Sequence, residues 1–234
     1  MPAPPESPPA AISVIIPVLN EASILQESLR ALPSDPNGGV EVIVVDGGSR
    51  DGTPERARPH RVLAAPRGRA RQMNAGAKAA RGEILLFLHA DTRLPPRAFP
   101  LIRETLADPG CVGGAFRHRL DRQKGLYRLI SFMSNLRARW LGVIYGDQGL
   151  FVRRSVFEAL GGFREMEILE DGDLAHRMRK AGRVKLLHAP IVTSARRWEA
   201  MGAWRAIFWM WAIALGYLLG VPPSRLRRLY PDVR

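Results

Sequence analysis

Carboxylate, amide and imidazole side chains follow three short apolar, β-branched runs of this 234-residue chain. Such runs are typical of buried strands. In an open sheet of parallel strands, ligands bind at the carboxyl ends of the strands. We therefore expect these polar side chains to gather in one binding site. They are Asn20 and Glu21 after the run 12–17, Asp46 after the run 40–45, and His89 and Asp91 after the run 83–88.

Asp46 stands at the start of a glycine-rich turn, in the sequence VVDGGSRDGT. A carboxylate there can accept hydrogen bonds from a nucleobase imide or a ribose hydroxyl. Glycines such as Gly48 let the backbone approach a ligand closely. We therefore favour a ligand-binding role for Asp46, whereas for Asp51 we favour hydrogen bonding at the start of the following helix.

The apolar runs alternate with segments of helical periodicity in the first half of the chain. This alternation predicts an α/β domain with a mostly parallel central sheet flanked by helices. The second half is less regular and ends in a predicted C-terminal apolar helix. The predicted strands are 12–17, 40–45, 61–64, 83–88, 111–116, 149–152 and 184–187, and the other predicted helices are 21–32, 68–80, 95–106, 126–141 and 170–181.

The chain has 35 basic and 22 acidic residues, which gives a formal net charge of +13, and only four of the bases are lysines. Because arginine binds phosphate and carboxylate groups bidentately, we expect an anionic partner. A polyanion, a phosphorylated small molecule and an anionic membrane all fit this charge, and a GC-rich genome is the alternative explanation. The single cysteine, Cys111, excludes an internal disulfide.

Between Arg56 and Arg81 there are eight basic residues and no acidic one. Arg71 and Asn74 in this stretch are three residues apart, so they would share a helix face. The amides of a nearby helix N-terminus would favour phosphate binding, and a solvated basic face is the alternative. The chain lacks P-loop, dinucleotide-binding, zinc-ligand and serine-hydrolase motifs, which excludes those chemistries as first choices.

The two ends of the chain differ in composition from its centre. Residues 1–10 contain five prolines and no basic residue, so they predict a disordered leader rather than a secretory signal. Residues 206–224 carry no charge and are flanked by Arg205 and Arg225. Such a segment can pack on the domain or on a partner in a homodimer, lie on a membrane surface, or span a membrane.

Three motifs in this order resemble the nucleotide-binding half of family 2 glycosyltransferases, which have the GT-A fold. They are IPVLNE, VDGGSRDGT and LHADT, although Gly47 stands where a second Asp is common and His89 replaces the first Asp of the D-x-D motif. RARQMNAGAKAARGE and SARRWE resemble the subgroup of radical-SAM/selenodomain-associated transferases. The resemblance implies a nucleotide-sugar-binding half (11–115), an acceptor-binding half (116–195) and a C-terminal Trp/Arg-rich helix and tail (196–234).

The resemblance implies inverting transfer of a sugar from a nucleotide-diphosphate donor, with UDP favoured, to a hydroxyl acceptor. The acceptor would be a small molecule or lipid-linked. Asp171 matches the general base of the family, beside Glu170, and a second acid nearby would raise its pKa toward the range a base needs. The alternative is that these acids only complement the dipole of the predicted helix 170–181.

A divalent ion, Mn²⁺ or Mg²⁺, would neutralise the departing diphosphate. Asp91 is the first candidate ligand, and His89 and His188 are further candidates, because manganese also accepts imidazole. The resemblance adds the remaining site residues. For the nucleotide they are Pro17, Asn20, Glu21, Asp46, Gly48, Arg71, Asn74 and Asp91, and for the acceptor or pyrophosphate they are Asp147, Gln148, Arg197 and Trp198.

The implied location is cytoplasmic, with a peripheral position on the inner face of the cell membrane as an extension. A basic nucleic-acid-binding protein is a competing interpretation of the charge. It lacks support from any helix-turn-helix, zinc-finger or RNP motif, so no nucleic-acid partner is predicted. A non-catalytic membrane-surface protein of the same fold is the second competing interpretation, since His89 departs from the D-x-D motif.

Overall fold

A computed structural model describes residues 11–35, 38–122 and 125–229 of the chain. The proline-rich segment 1–10, which was predicted to be a disordered leader, lies outside the described residues. Within the described ranges, the strands form one eight-stranded mixed sheet. They are β1 Ile12–Val18, β2 Val40–Asp46, β3 Arg61–Ala64, β4 Ile84–Phe87, β5 Thr92–Arg93, β6 Cys111–Leu120, β7 Leu150–Arg153 and β8 Arg183–Thr193.

Helices cover both faces of this sheet, which confirms the predicted α/β fold. They are α1 Ala22–Arg30, α2 Thr53–Arg56, α3 Arg69–Ala79, α4 Ala98–Leu106, α5 Leu126–Trp140, α6 Arg154–Ala159, α7 Glu170–Ala181, α8 Arg196–Met201, α9 Ala203–Leu218 and α10 Pro223–Leu229.

The strand order is β3-β2-β1-β4-β7-β6-β8-β5. β3, β2, β1 and β4 pair in parallel, and β6 also pairs in parallel with β8. β7 is antiparallel to both of its neighbours, and the two-residue β5 is antiparallel to β8. The carboxyl ends of β1, β2 and β4 therefore lie along one edge of the sheet, as predicted from the strand pattern.

Successive side chains of β1 pack into two cores on opposite faces of the sheet. Val14 and Ile16 join α1 and α4 on one face, whereas Ile15 joins α3 and α7 on the other. Burial on both faces explains the uninterrupted apolar sequence of this strand. Helix α3 lies so close to the sheet that a Cβ added at Gly76 would be 2.4 Å from Cγ2 of Ile15.

The last strand is longer than the sequence predicts. The apolar pattern places it at 184–187, but β8 continues to Thr193, paired with β6 through a bulge after Leu187. The exposed His188 and then Pro190 interrupt the apolar pattern, so this part of the strand resembles a loop in the sequence. His188 consequently lies within the strand rather than just after it.

Candidate active site

The turn after β2 is shaped by Asp46 itself. The Asp46 carboxylate accepts hydrogen bonds from the backbone amides of Gly48 (2.9 Å) and Ser49 (3.0 Å), and from the Ser49 hydroxyl. The side chain is buried, whereas Gly48 has an exposed backbone with φ +93°. Asp46 therefore holds an open glycine turn, and direct binding of a ligand by Asp46 remains a prediction.

The end of β1 is tied to this same turn. The Asn20 side chain accepts a hydrogen bond from the Arg50 amide (2.9 Å), and the Glu21 amide donates to the Thr53 hydroxyl (2.8 Å). Asp51 accepts from the first amides of α1 and α2, at 3.0 and 3.1 Å, as its predicted role requires. The structure thus brings Asn20 and Glu21 to the Asp46 turn.

Gln72 is a residue of this region that the sequence analysis missed. Its buried amide nitrogen donates to the carbonyl oxygens of Val18 and Val45, each at 2.8 Å, and so bridges the ends of β1 and β2 next to Pro17. A Cβ at Gly47 would lie 3.0 Å from Cδ of Gln72. This contact explains why glycine, and not a second Asp, occupies position 47.

A pair of buried carboxylates begins helix α7. Glu170 is 2% exposed and Asp171 is 6% exposed. Asp171 Oδ1 accepts a hydrogen bond from the Gly172 amide (2.7 Å), and Oδ2 accepts one from the Gly146 amide. Each Asp171 oxygen keeps a second lone pair for another donor.

Arg69, at the start of α3, forms an ion pair with Glu170, with Nε 2.7 Å from Oε1. The negative charges of Glu170 and Asp171 raise the pKa of the Arg69 guanidinium. Glu170 Oε2 is buried and accepts no hydrogen bond from the described part of the chain. No sequence motif marks Arg69, although it lies in the acid-free basic stretch, two residues before Arg71.

Burial raises the pKa of Asp171 to about 6, and the adjacent charge of Glu170 contributes in the same direction. Arg69 and the two backbone amides oppose this increase. Because a general base works best when its pKa is near the operating pH, Asp171 is suited to accept a proton at neutral pH.

Arg71 and Asn74 share a helix face, as predicted, and both contact the loop before α7. Arg71 forms an exposed ion pair with Glu165, with Nε 2.8 Å from Oε2. The Asn74 amide donates to the Phe163 carbonyl (2.8 Å) and accepts from the Phe163 amide (2.9 Å). Asn74 therefore connects α3 to this loop, and nucleotide binding by both residues remains a prediction.

Of the three candidate metal ligands, His89 lies beside the turn that holds Asp171, and Asp91 follows it by two residues. Asp91 is half-exposed, with its Oδ1 accepting a hydrogen bond from the Thr92 hydroxyl (3.3 Å). Burial, and then the charge of Arg69, lower the pKa of His89, so the imidazole is neutral at pH 7. A Cβ at Gly146 would lie 2.5 Å from Nε2 of His89, which places this ring against the glycine that donates to Asp171.

His188 is exposed and is not brought to the site. It lies five residues before Thr193, which pairs with Thr92. At 3.2–3.4 Å per residue, this separation is about 16 Å along the strand. Across the described ranges, no group of three or more His, Cys, Asp or Glu side chains forms a metal cage. The available ligands, Asp91 and His89, fit an ion that is held largely by oxygens of a bound diphosphate.

The turn 145–148 carries the two acceptor candidates in different environments. Asp147 is partly exposed, with Oδ2 3.4 Å from Nε2 of the buried His118. Gln148 is completely buried, and its side chain bonds to Arg137 (3.2 Å) and to the Phe116 carbonyl (3.3 Å). Asp147 thus contacts His118 whereas Gln148 supports the turn, and the acceptor role of Asp147 stays a prediction.

Arg137 is a third residue, after Gln72 and Arg69, that the sequence motifs do not mark. It is completely buried, with its guanidinium carbon 3.4 Å from the centre of the Tyr145 ring. Its Nε donates to the Val143 carbonyl at 3.1 Å. Arg137 therefore braces the turn whose Gly146 amide binds Asp171.

Trp198 lies on α8, half-buried against Leu120, Ile130 and Ala195. Arg197 is on the same helix, but its side chain lies outside the described part of the chain. The predicted acceptor role of both residues remains a prediction.

Two structures of known proteins share this fold. A mannosyltransferase from Pyrobaculum calidifontis, in complex with GDP-Man and Mn²⁺, superimposes with a TM-score of 0.66 at 22% identity, covering 92% of this chain and 65% of that one. Glucosyl-3-phosphoglycerate synthase from Mycobacterium tuberculosis, in complex with Mn²⁺, UDP and phosphoglyceric acid, has a TM-score of 0.65 at 21% identity, covering 92% and 80%.

The sequence is 30% identical over 212 residues to undecaprenyl-phosphate 4-deoxy-4-formamido-L-arabinose transferase from Pseudomonas aeruginosa (strain LESB58). The match covers 81% of this chain and 61% of that relative, so the chain spans about three fifths of the relative's length. Residues 13–163 match the family model described as Glycosyl transferase family 2. The chain therefore belongs to glycosyltransferase family 2.

Proposed function

We propose that the chain transfers a sugar from a nucleotide-diphosphate donor to a hydroxyl acceptor, with inversion and with Asp171 as general base. The observation that carries this proposal is the buried Asp171 carboxylate, held by two backbone amides beside Glu170 and the half-buried His89. Its environment suits proton acceptance, because burial beside Glu170 raises the pKa of Asp171 to about 6.

Asp171 rather than Glu170 is the proposed base. Glu170 is ion-paired with Arg69, and its negative charge raises the pKa of Asp171. In a single displacement, the acceptor oxygen attacks the anomeric carbon and its proton passes to Asp171. The bond between that carbon and the diphosphate breaks, and the nucleoside diphosphate leaves with the electron pair. Gly146 and Gly172 hold the carboxylate in place for this transfer.

The proposed donor site is the open turn formed by Asn20, Asp46 and Gly48, with Pro17 and Glu21 beside it. Similar structures were solved with GDP-Man and with UDP-GlcNAc, so this fold accepts more than one nucleotide. We retain UDP as the favoured nucleotide from the motif resemblance. Arg71 and Asn74 are proposed to act at this site through the loop that they hold.

Asp91 and His89 would hold Mn²⁺ or Mg²⁺ together with the diphosphate of the donor. Both similar structures described above contain Mn²⁺. When bound, such an ion supplies positive charge to the leaving diphosphate. The neutral imidazole of His89 is the form of histidine that binds metal.

The proposed acceptor side comprises Asp147, with Gln148 supporting it, and Arg197 and Trp198 on α8. A small-molecule or a lipid-linked acceptor fits this arrangement, and we retain the radical-SAM/selenodomain-associated subgroup as a proposal. A cytoplasmic site of action fits a small-molecule acceptor and a lipid-linked acceptor alike.

A phosphate acceptor is the second candidate, because the Pseudomonas relative is named for undecaprenyl phosphate. A phosphate oxygen is already ionised at pH 7 and needs no base to remove a proton. The presence of a suitable base, Asp171, therefore favours a hydroxyl acceptor.

Asp171→Asn tests the base directly. We expect transfer to fall at least about 100-fold, in line with the usual contribution of a general base, while donor binding stays within about twofold. Calorimetric titration with the donor and a turnover assay measure the two quantities. Glu104→Gln is the matched control, since Glu104 is an exposed carboxylate on α4 that is paired with Arg97, the residue before that helix. Full turnover in Asp171→Asn would remove Asp171 from the mechanism.

A further inference from the structure

Helix α9 has two apolar faces, of which only one is covered. Ile213 and Ala214 face the domain together with Met210, which accepts hydrogen bonds from Ser134 and Tyr145. The opposite stripe is exposed. Its members follow one another at spacings of four, three, four and three residues: Trp204, Phe208, Trp211, Leu215 and Leu218. Trp211 is half-buried, and the other four side chains are 42–66% exposed.

Helix α5, which packs against α9, also exposes large apolar side chains. Phe132 is 59% exposed and Trp140 is 74% exposed. Surface hydrophobic residues that occur singly need no explanation, whereas a cluster on two neighbouring helices marks an interaction surface. We call the exposed side chains of α5 and α9 the aromatic face.

The charged side chains of α5, α9 and α10 have a single sign. The sequences of α5, α9 and α10 contain no acidic residue. Exposed arginines flank the apolar side chains, and none of them has an ion-pair partner among the residues that the structure describes: Arg128, Arg139, Arg205 and Arg225.

We propose that the aromatic face docks on the surface of an anionic lipid bilayer. Aromatic and aliphatic side chains at the level of the headgroups, bordered by arginines, are the chemistry that such a surface binds. A second copy of the chain is a poorer occupant, because pairing two copies of this face would bring arginines of like charge together. Among the described residues, no helix is long and apolar enough to cross a bilayer.

The position of the face suits a lipid-linked acceptor. Helix α8, which carries Arg197 and Trp198, contacts α9 and directly precedes it in the chain. Docking through α9 would bring the proposed acceptor side near the headgroups. In this respect the inference rests on the proposed function, but vesicle binding itself is measurable without any transfer activity.

Co-sedimentation of the full chain with vesicles of phosphatidylcholine alone, or of phosphatidylcholine and phosphatidylglycerol at 3:1, tests the proposal. We expect binding to the anionic vesicles only, weakened at high salt because the surface charge is screened. Phe208→Ser combined with Leu215→Ser should reduce partitioning by at least about tenfold, since two large apolar side chains are lost.

Arg205→Glu and Arg56→Glu form a matched pair, because both change the net charge by two units. Arg56 is exposed on α2, away from the aromatic face. Only Arg205→Glu should weaken vesicle binding strongly, and thermal unfolding should show that all variants remain folded.

Three outcomes would overturn the proposal. The wild-type chain fails to bind anionic vesicles, the double variant binds as well as the wild type, or the wild type is a dimer that the double variant dissociates. Donor-induced stabilisation, measured on the same samples, reports separately on the proposed function. If the donor does not stabilise the wild-type chain, the proposed transferase site is contradicted, and the result for vesicle binding is unaffected.

Discussion

At the residue scale, the candidate site depends on three charges in contact. Asp171 is buried beside Glu170, and Arg69 neutralises Glu170 at 2.7 Å. Burial and Glu170 raise the pKa of Asp171, whereas Arg69 lowers it. Removing the charge of Glu170 should therefore lower the pKa of Asp171, and removing the charge of Arg69 should raise it.

Glu170→Gln should shift the acidic limb of the pH–rate profile to lower pH. Removing the negative charge of Glu170 removes one cause of the raised pKa of Asp171, so the base is deprotonated at more acidic pH. A shift of about one pH unit is reasonable for a charge at this distance. The measurement is kcat/KM against pH from about 4.5 to 8, with wild type expected to lose activity below about 6. An unchanged limb would mean that Asp171 is not the titrating group.

Arg69→Met should shift the same limb to higher pH, because Arg69 is the charge that lowers the pKa of Asp171. The variant also leaves the buried Glu170 without its partner, and because the Arg69 side chain is partly exposed, a loss of stability of about 1–3 kcal/mol is expected. Arg69→Lys keeps the charge and should retain the wild-type limb. Arg71→Met removes an exposed guanidinium paired with Glu165, and should move neither the limb nor the stability appreciably. A downward shift in Arg69→Met would contradict the assigned role.

The sequence motifs mark the two acidic residues, Glu170 and Asp171, but not the arginine that pairs with Glu170. Glu170 and Asp171 begin a helix, and family resemblance marks them. Arg69 and Arg71 are only two residues apart, so spacing alone does not tell which one reaches α7. Which arginine reaches α7 depends on how the loop before α7 is placed against α3. The hydrogen bonds between Asn74 and Phe163 fix that placement, and they are tertiary contacts.

At the element scale, α3 connects the two halves of the site. Arg69 reaches the carboxylates, Gln72 bridges the ends of β1 and β2, and Asn74 holds the loop before α7. These contacts require α3 to lie close to the sheet, and Gly76 makes the close approach possible.

Gly76→Ala should destabilise the protein by about 1–3 kcal/mol, because the new methyl group would overlap Ile15. Helix propensity alone predicts the opposite sign, a gain of up to about 1 kcal/mol. Gly172→Ala is the matched control. Its Cβ would make only ordinary contacts, 3.6 Å from Val143, so stability should not fall. Denaturant unfolding of both variants measures the difference, and stabilisation by Gly76→Ala would show that α3 can move away from the sheet.

The strands show why some elements are readable from sequence and others are not. β1 and β2 are buried on both faces, so their apolar runs define them to within one or two residues. β8 exposes Lys185 and His188 and contains Pro190, which interrupts the pattern. The strand continues to Thr193 because β6 is available to pair with it, which local sequence does not record.

At the scale of the whole molecule, the net charge of +13 divides into parts with different partners. Arg69 balances the carboxylates of the site, whereas Arg103 and Arg177 form ion pairs with the buried Asp35 and Asp173. The exposed arginines Arg128, Arg139, Arg205 and Arg225 flank exposed aromatic side chains instead. The composition predicts an anionic partner but does not say how many. The packing of the helices places the arginines in different regions, which is why we propose two anionic partners, a donor diphosphate and a lipid surface.

Binding of a sugar nucleotide with a divalent ion tests the central claim most directly. The measurement is the Tm of the full chain with UDP-, GDP- and dTDP-sugars, each with and without Mn²⁺. A donor at about 100 times its Kd stabilises the fold by about 2.7 kcal/mol, which corresponds to a rise in Tm of about 5–10 °C for a chain of this size.

We expect at least one donor to raise Tm by this amount only when Mn²⁺ is present, and the dependence on Mn²⁺ to disappear in Asp91→Asn. If no sugar nucleotide raises Tm, with or without Mn²⁺, the assignment of the chain as a nucleotide-sugar transferase is contradicted.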